Sequence, residues 1–244
     1  MKKTLTTISI FAGAVLLSSC SEDDPVPENP ANMPYEVAID PADFVSTNIT
    51  GNDLFPLVSG ITMIYEGVSD EGEPVRVEVE RTGDTKTIMG VTCVVVRDKE
   101  YVNDELVEDT YDWYAQDNEG NVWYFGEDTK EMEDGTVVST EGSWEAGVEG
   151  ALPGIIMLEH PLTGIWYRQE YFKGEAEDVA QILSLSATVT VPFGGTYNNC
   201  VEIAEWNLLE PGVIEHKFYA PGVGLIRIEA VQGGSEYEDL VEIN

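Results

Sequence analysis

The stretch YDWYAQDNEGNVWYFG, residues 111–126, sets Tyr111, Trp113, Tyr114, Trp123, Tyr124 and Phe125 around one acidic turn. Aromatic rings at this density stack on ligands or on one another, and the intervening carboxylates are the oxygen donors that hard cations take. Three readings compete: a ligand platform, a calcium loop, or two strands of a β-core. Calcium fits poorly. Asp117, Asn118 and Glu119 precede Gly120, but an EF-hand needs spaced ligands over twelve residues with a closing glutamate, and here Val122-Trp123-Tyr124-Phe125 interrupts as strand. Glu127, Asp128, Glu131, Glu133 and Asp134 form a looser acidic set with the same weakness. No metal site and no cofactor is expected.

Other chemistries find little support. The two histidines, His160 in EHPLTG and His216 in IEHKFY, make no HxxxH pair for zinc. There is no GxSxG elbow and no phosphate-cradling glycine loop, and Gly222-Val223-Gly224 sits in a turn before a strand. Glycosidase chemistry needs two carboxylates at a set separation, and 46 acidic residues supply candidates too freely to single any out. The expectation is a protein without catalytic residues.

Turn chemistry decides how the aromatics are displayed, because register assigns each side chain to a face. A type I turn with Gly120 left-handed pairs Asp117 with Asn121. Tyr111, Trp113, Ala115, Trp123 and Phe125 then share one face, with Asp112, Tyr114, Val122 and Tyr124 on the other. A two-residue turn at Asp134-Gly135, with Glu133 opposite Thr136, sets Trp144 across from Phe125 and adds it to the first face. A two-residue Glu119-Gly120 turn would instead part Trp113 from Trp123. The expected wall of Tyr111, Trp113, Trp123, Phe125 and Trp144 is a core or barrel lining, and a ligand-binding face if the barrel is open. Tyr114, Tyr124 and Trp166 are the outer-face candidates for a module that binds polysaccharide or protein.

The surrounding elements are mostly strands. Val75 to Arg81 alternates strictly, and Cys93 to Val96 is a continuous apolar run. Further strands are expected at Ile61 to Glu66, Leu106 to Gln116, Asn121 to Glu127, Thr136 to Trp144 and Ile165 to Phe172. Ala187 to Val191, Tyr197 to Trp206, Val213 to Tyr219, Gly224 to Val231 and Tyr237 to Ile243 complete the set. Glu175 to Leu183 is the one helical candidate. The fold class is mainly β: an antiparallel meander forming a single curved sheet or half-open barrel, with little helix, over one domain at residues 35–244.

The start of the chain carries an address. Met1-Lys2-Lys3 and the apolar run Leu5 to Leu17 read as a signal peptide over residues 1–19, too short to span a bilayer. Leu17-Ser18-Ser19-Cys20 resembles the bacterial lipobox, which implies acylation of Cys20 and a membrane partner through that lipid. Residues 20–34 hold Glu22, Asp23, Asp24 and four prolines, and read as an acidic tether reaching roughly 40 Å at ~3.1 Å per residue. That acidic cluster resembles the signal which sends Bacteroidetes-type lipoproteins to the cell surface. The implied location is the cell envelope, at the outer membrane.

The formal charge is −34, and loss of Lys2 and Lys3 with the leader leaves 10 basic against 46 acidic residues. Nucleic acid is therefore excluded as a partner. Cys93 in VTCVVV and Cys200 in NNCVEI both lie in strand-like runs, and a disulfide between them or two separate buried thiols each fit an exported chain.

Two further stretches resemble a large group of bacterial exported proteins of unknown function. NDLFPLVSGITMIYEG, residues 52–67, is similar to that group's FPL-x-x-G opening strand, with Met63 where tryptophan is usual. VTVPFGGTYNNCVEIAEW, followed by HKFYAPGVGLIRIE, is similar to its closing VPAGTF-x-x-C and WYAPGVGLV segments. The resemblance implies a half-open antiparallel barrel like those of lipoprotein carriers, and it brings no catalytic residue. The resulting expectation is a membrane-tethered, non-enzymatic lipoprotein that binds an apolar or amphipathic ligand.

Overall fold

Alternation of apolar and polar residues, broken by Gly, Asn and Asp turns, folds this chain into strands that pair mostly with their sequence neighbours. The computed structural model describes residues 34–210 and 212–244. The expected signal peptide, Cys20 and the expected tether up to Met33 lie outside the described residues.

The strands are β1 (Ile61–Val68), β2 (Pro74–Ile88), β3 (Val91–Val102), β4 (Glu105–Gln116), β5 (Val122–Asp128), β6 (Glu131–Glu133), β7 (Thr136–Ser139) and β8 (Trp144–Glu145). They continue with β9 (Leu152–Met157), β10 (Trp166–Arg168), β11 (Glu170–Tyr171), β12 (Asp178–Val191), β13 (Gly195–Asn207), β14 (Ile214–Ala220), β15 (Gly224–Gln232) and β16 (Tyr237–Ile243). They form one antiparallel sheet in the order β10-β12-β13-β14-β15-β16-β1-β2-β3-β4-β5-β9-β11, with β6, β7 and β8 attached to its side.

The sheet nearly closes into a barrel with one seam. Its terminal strands, β10 and β11, are separated in the chain only by Gln169, so residues 166–171 pair first with β12 and then with β9. Gln169 bridges the change of partner: its N–H donates to the Asp178 carbonyl at 2.9 Å, and its side-chain amide donates to Glu205 at 2.8 Å. Gly154 of β9 presses against this point. A Cβ there would lie 2.3 Å from the Gln169 carbonyl carbon and 2.6 Å from the Arg168 carbonyl oxygen.

Two expectations about elements are corrected, and one strand was not expected. Glu175 to Leu183 is not helical, since its greater part is the first half of β12, where Val179, Ala180 and Ile182 are fully buried. Ladder pairing on both sides and this burial override a helix propensity that is only a weak prior. Thr136 to Trp144 is two strands rather than one, because β7 folds back on β6 and a turn at residues 140–143 redirects the chain before β8. Leu152–Met157 is a strand that alternation does not reveal: LPGIIM has no period of two, and its Pro153 and Gly154 serve the seam.

The NDLFPL stretch is a plug rather than a strand. The Asn52 side chain accepts from the N–H groups of Leu54 and Phe55 at 3.0 and 2.8 Å, an Asx turn, and donates to the Gly120 carbonyl at 3.2 Å. The two family-like stretches meet here, the Gly222 N–H donating to the Asp53 carbonyl at 2.8 Å. Leu54 and Leu57 enter the core beside Val122, Ile203 and Tyr219.

Cys93 and Cys200 are free thiols, which corrects the disulfide alternative. Five strands separate β3 from β13 in the sheet, and the two residues belong to different core clusters. Burial pushes the Cys93 thiol up to about 12.

Candidate binding cavity

The hairpin turn forms as its residues dictate. Gly120 is left-handed at φ 96°, the Asp117 N–H donates to the Asn121 carbonyl at 3.0 Å, and Tyr114 pairs with Tyr124. Asp117 is consumed by the turn. Its Oδ1 accepts from the N–H groups of Glu119 and Asn121, and its Oδ2 accepts from the Asn121 amide and from the Trp123 indole at 2.8 Å. Those four bonds are the physical use of this acidic loop. Among the described residues no cluster of three or more His, Cys, Asp or Glu has metal-site geometry.

Beyond Tyr114 the ladder slips by one residue, and Asp112 faces Glu127. Gly126 takes up the slip at φ 123°, with Trp144 backbone so close that a Cβ would sit 2.2 Å from its carbonyl oxygen. Trp144 is therefore opposite Glu127, not Phe125, and lands on the face of Tyr124, whose ring it meets edge-on at 5.4 Å. Its indole donates to buried Glu170 at 2.9 Å.

The expected wall lies mainly on the far side of the sheet from the cavity. Trp113, opposite Val95, packs with Cys93, Phe125 and Ala115 under Phe44, whose ring meets those of Trp123 and Phe125 edge-on at 5.9 and 5.6 Å. Lys86 Nζ sits 3.1 Å from the Trp113 ring centroid while it pairs with Glu145 at 2.7 Å. Tyr111 lies further along the same face beneath Arg97 and Lys130. None of Tyr111, Trp113, Trp123, Phe125 and Trp144 lines the interior cavity.

The outer-face candidates are corrected in the opposite sense. Tyr114 and Tyr124 point inward and stack at 5.0 Å with planes 23° apart, and Phe55 of the plug covers Tyr114 at 5.0 Å. Alternation had separated the two aromatic sets without saying which one the barrel encloses. Trp166 is half-buried in β10.

The cavity holds about 200 Å³. Part of its lining is apolar and aromatic: Phe55, Leu57, Met63, Val79, Tyr114 and Ile156. Interspersed with these are ionisable groups, Arg81, Asp98, Asp112 and Lys217, and the phenols of Tyr65 and Tyr219. Lys217 is matched by Glu205 at 2.6 Å and Glu215 at 3.8 Å. Burial opposes its charge, but these carboxylates outweigh burial and hold it protonated well above the usual lysine range.

The carboxylates behave as a group. Burial, then Asp112, Glu238, Glu108 and Glu100, push Asp98 far above the usual range. Burial raises Asp112 to about 7, against the opposing hydrogen bond from the Tyr124 hydroxyl at 2.7 Å. Burial and Asp112 raise Glu127 to about 8, and burial and Glu100 raise Glu238 to about 7. Sequence reasoning missed Asp98, Asp112 and Arg81 as a set. The available signal was that Arg81 and Asp98 continue inward-facing rows that hold Val79 and Val96, with Asp112 across the ladder from Val96.

The histidines are peripheral to this cavity. His216 pairs with Glu202 at 2.9 Å and alternates along β14 with Lys217 and Tyr219, which line the cavity, so the pair lies on the outer face.

The chain matches no family model and no curated protein. Its backbone is similar to two crystal structures. One, described as an exported protein with a YmcC-like fold from Bacteroides fragilis NCTC 9343, has a TM-score of 0.45 at 16% identity over 79% of this chain and 99% of that one. The other, described as a lipoprotein from Parabacteroides distasonis ATCC 8503, has a TM-score of 0.42 at 16% identity over 80% of this chain and 99% of that one.

Proposed function

We propose that this protein is an exported, lipid-anchored, non-enzymatic binding protein of the bacterial outer membrane that carries a small amphipathic ligand inside its barrel. The observation that carries the reading is the cavity of about 200 Å³, in which the aromatic rings of Tyr114 and Phe55 share the lining with Arg81, Asp98 and Asp112, none of which is in an ion pair with the described residues. Binding sites of this kind combine an apolar body with a few convergent polar groups. The leader and the Leu-Ser-Ser-Cys sequence support the anchor at Cys20. The ligand face is thus the Tyr114 side of the sheet rather than the Trp113 side.

Native mass spectrometry of the full chain purified from its own cells is the test. A small molecule released on denaturation, and lost in Val79→Trp, which fills the cavity, is the expected result. An identical mass for native and denatured protein, or a molecule retained by Val79→Trp, would sink the reading. Loss of the acyl mass increment in Cys20→Ser checks the anchor separately.

The Asp98–Asp112 convergence supports a second reading, general acid–base chemistry on a small substrate. Turnover of chromogenic glycosides or esters by the full chain, abolished in Asp112→Asn, would establish it in place of the first.

A further inference from the structure

We propose that the cavity takes a small zwitterion, its ammonium group held between Asp98 and Asp112, its anionic group by Arg81, and its apolar or aromatic body against Tyr114 and Phe55. This rests on the cavity reading above and names the class of ligand.

The register sets the three charged groups around one residue. Val96 faces Arg81 across one ladder and Asp112 across the other, while Asp98 faces Val79. Asp98 is therefore the diagonal neighbour of both Arg81 and Asp112, at a Cα spacing of about 7–8 Å that long side chains bridge readily. They do not bridge it. The one hydrogen bond of the Arg81 guanidinium among the described residues is to the Met63 sulfur at 2.8 Å, with no carboxylate within 4.0 Å among them. Asp112 uses Oδ1 for the Tyr124 hydroxyl and leaves Oδ2 to the cavity. The Asp98 carboxylate has no hydrogen bond to the described residues, and neither has the hydroxyl of Tyr219.

This contrasts with the rest of the barrel. Arg97 and Asp109 form a two-bond fork at 2.7 and 2.8 Å, and so do Arg227 and Asp239. Lys217, the other cation at the cavity, is already neutralised by Glu205. Arg81 is 9% exposed and Asp112 8%, so their free polar atoms look into the cavity rather than out to bulk solvent. Ionisable groups of low exposure, held apart from any opposite charge, disfavour their charged forms, and a ligand with both signs of charge compensates both at once. A cavity of about 200 Å³ has room for one ring or a short chain, since an engineered cavity of about 150 Å³ accepts benzene. The Tyr114 ring beside the acid pair also suits an ammonium, through its negative π-face.

Four shape-matched probes test the assignment by calorimetric titration of the full chain at pH 8: phenylalanine, 2-phenylethylammonium, 3-phenylpropanoate and propylbenzene. Phenylalanine is expected to bind at least tenfold more tightly than each of the others. Arg81→Gln should lower its affinity to that of 2-phenylethylammonium, and Asp98→Asn with Asp112→Asn to that of 3-phenylpropanoate. The comparison on the unaltered chain stands even if a variant fails to fold. Equal binding of all four, or tighter binding of any singly charged or neutral probe, overturns the zwitterion and leaves the cavity reading intact. Binding of none overturns both.

Discussion

Inside the barrel the Tyr124 hydroxyl donates to Asp112 Oδ1 at 2.7 Å, across a ladder that also places Glu127 opposite Asp112. The groups facing Asp112 from β3, β4 and β5 are Asp98, Glu108, Tyr124 and Glu127, and the acids among them outnumber any cation in reach. The consequence is an unusual dependence of stability on pH. Asp112, Glu238 and Glu127 hold their protons up to about 7, 7 and 8, whereas an unfolded chain loses them near pH 4. Between those limits the folded state binds more protons, so stability falls as pH rises. Thermal melts should show a midpoint about 5 °C or more higher at pH 5 than at pH 8. Asp112→Asn should flatten that slope, and a midpoint that climbs toward pH 8 would contradict it.

The seam offers a steric prediction. Gly154→Ala drives a methyl into the backbone of Gln169 and Arg168, at 2.3 to 2.6 Å from their atoms. Neither segment can yield without disturbing β9, β10 or β11, so a loss of about 2–3 kcal/mol is expected in urea unfolding. Gly83→Ala, with nothing within 4 Å of the added carbon, is the control and should stay within about 0.5 kcal/mol of the parent.

The two sides of β4 should separate stability from uptake. Trp113→Leu removes the ring under Lys86 and opens space beside Phe125 and Cys93, which should cost about 2 kcal/mol and leave the co-purifying ligand in place. Tyr114→Ala removes a cavity wall and the stack on Tyr124, and should strip the ligand. Ligand occupancy measured by native mass spectrometry on both variants decides between the faces, and the reverse pattern would restore the Trp113 side.

The thiols give a chemical check. Cys93 and Cys200, buried and unbonded, should resist alkylation in the native protein and react fully in denaturant without a reducing agent. A requirement for prior reduction would mean that they are joined after all.

What sequence alone determined is what local chemistry controls. Alternation in Val75 to Arg81, and the turns at Gly120 and Asp134-Gly135, select strands, and the turns select the adjacent pairings, because side-chain direction and left-handed backbone act over a few residues. The mainly antiparallel, nearly closed sheet follows from many such units in succession. Tertiary structure decided the rest. The slip at Gly126 carries Trp144 to the face opposite Phe125, because the close approach of β8 is a non-local contact that only a residue without Cβ permits. The direction in which the sheet curls selects Tyr114 and Tyr124 over Trp113 and Phe125 as the enclosed set, since a period of two distinguishes faces but carries no sign of curvature. Arg81, Asp98 and Asp112 come from three strands and form a site only once register sets them around Val96 in a space the plug borders.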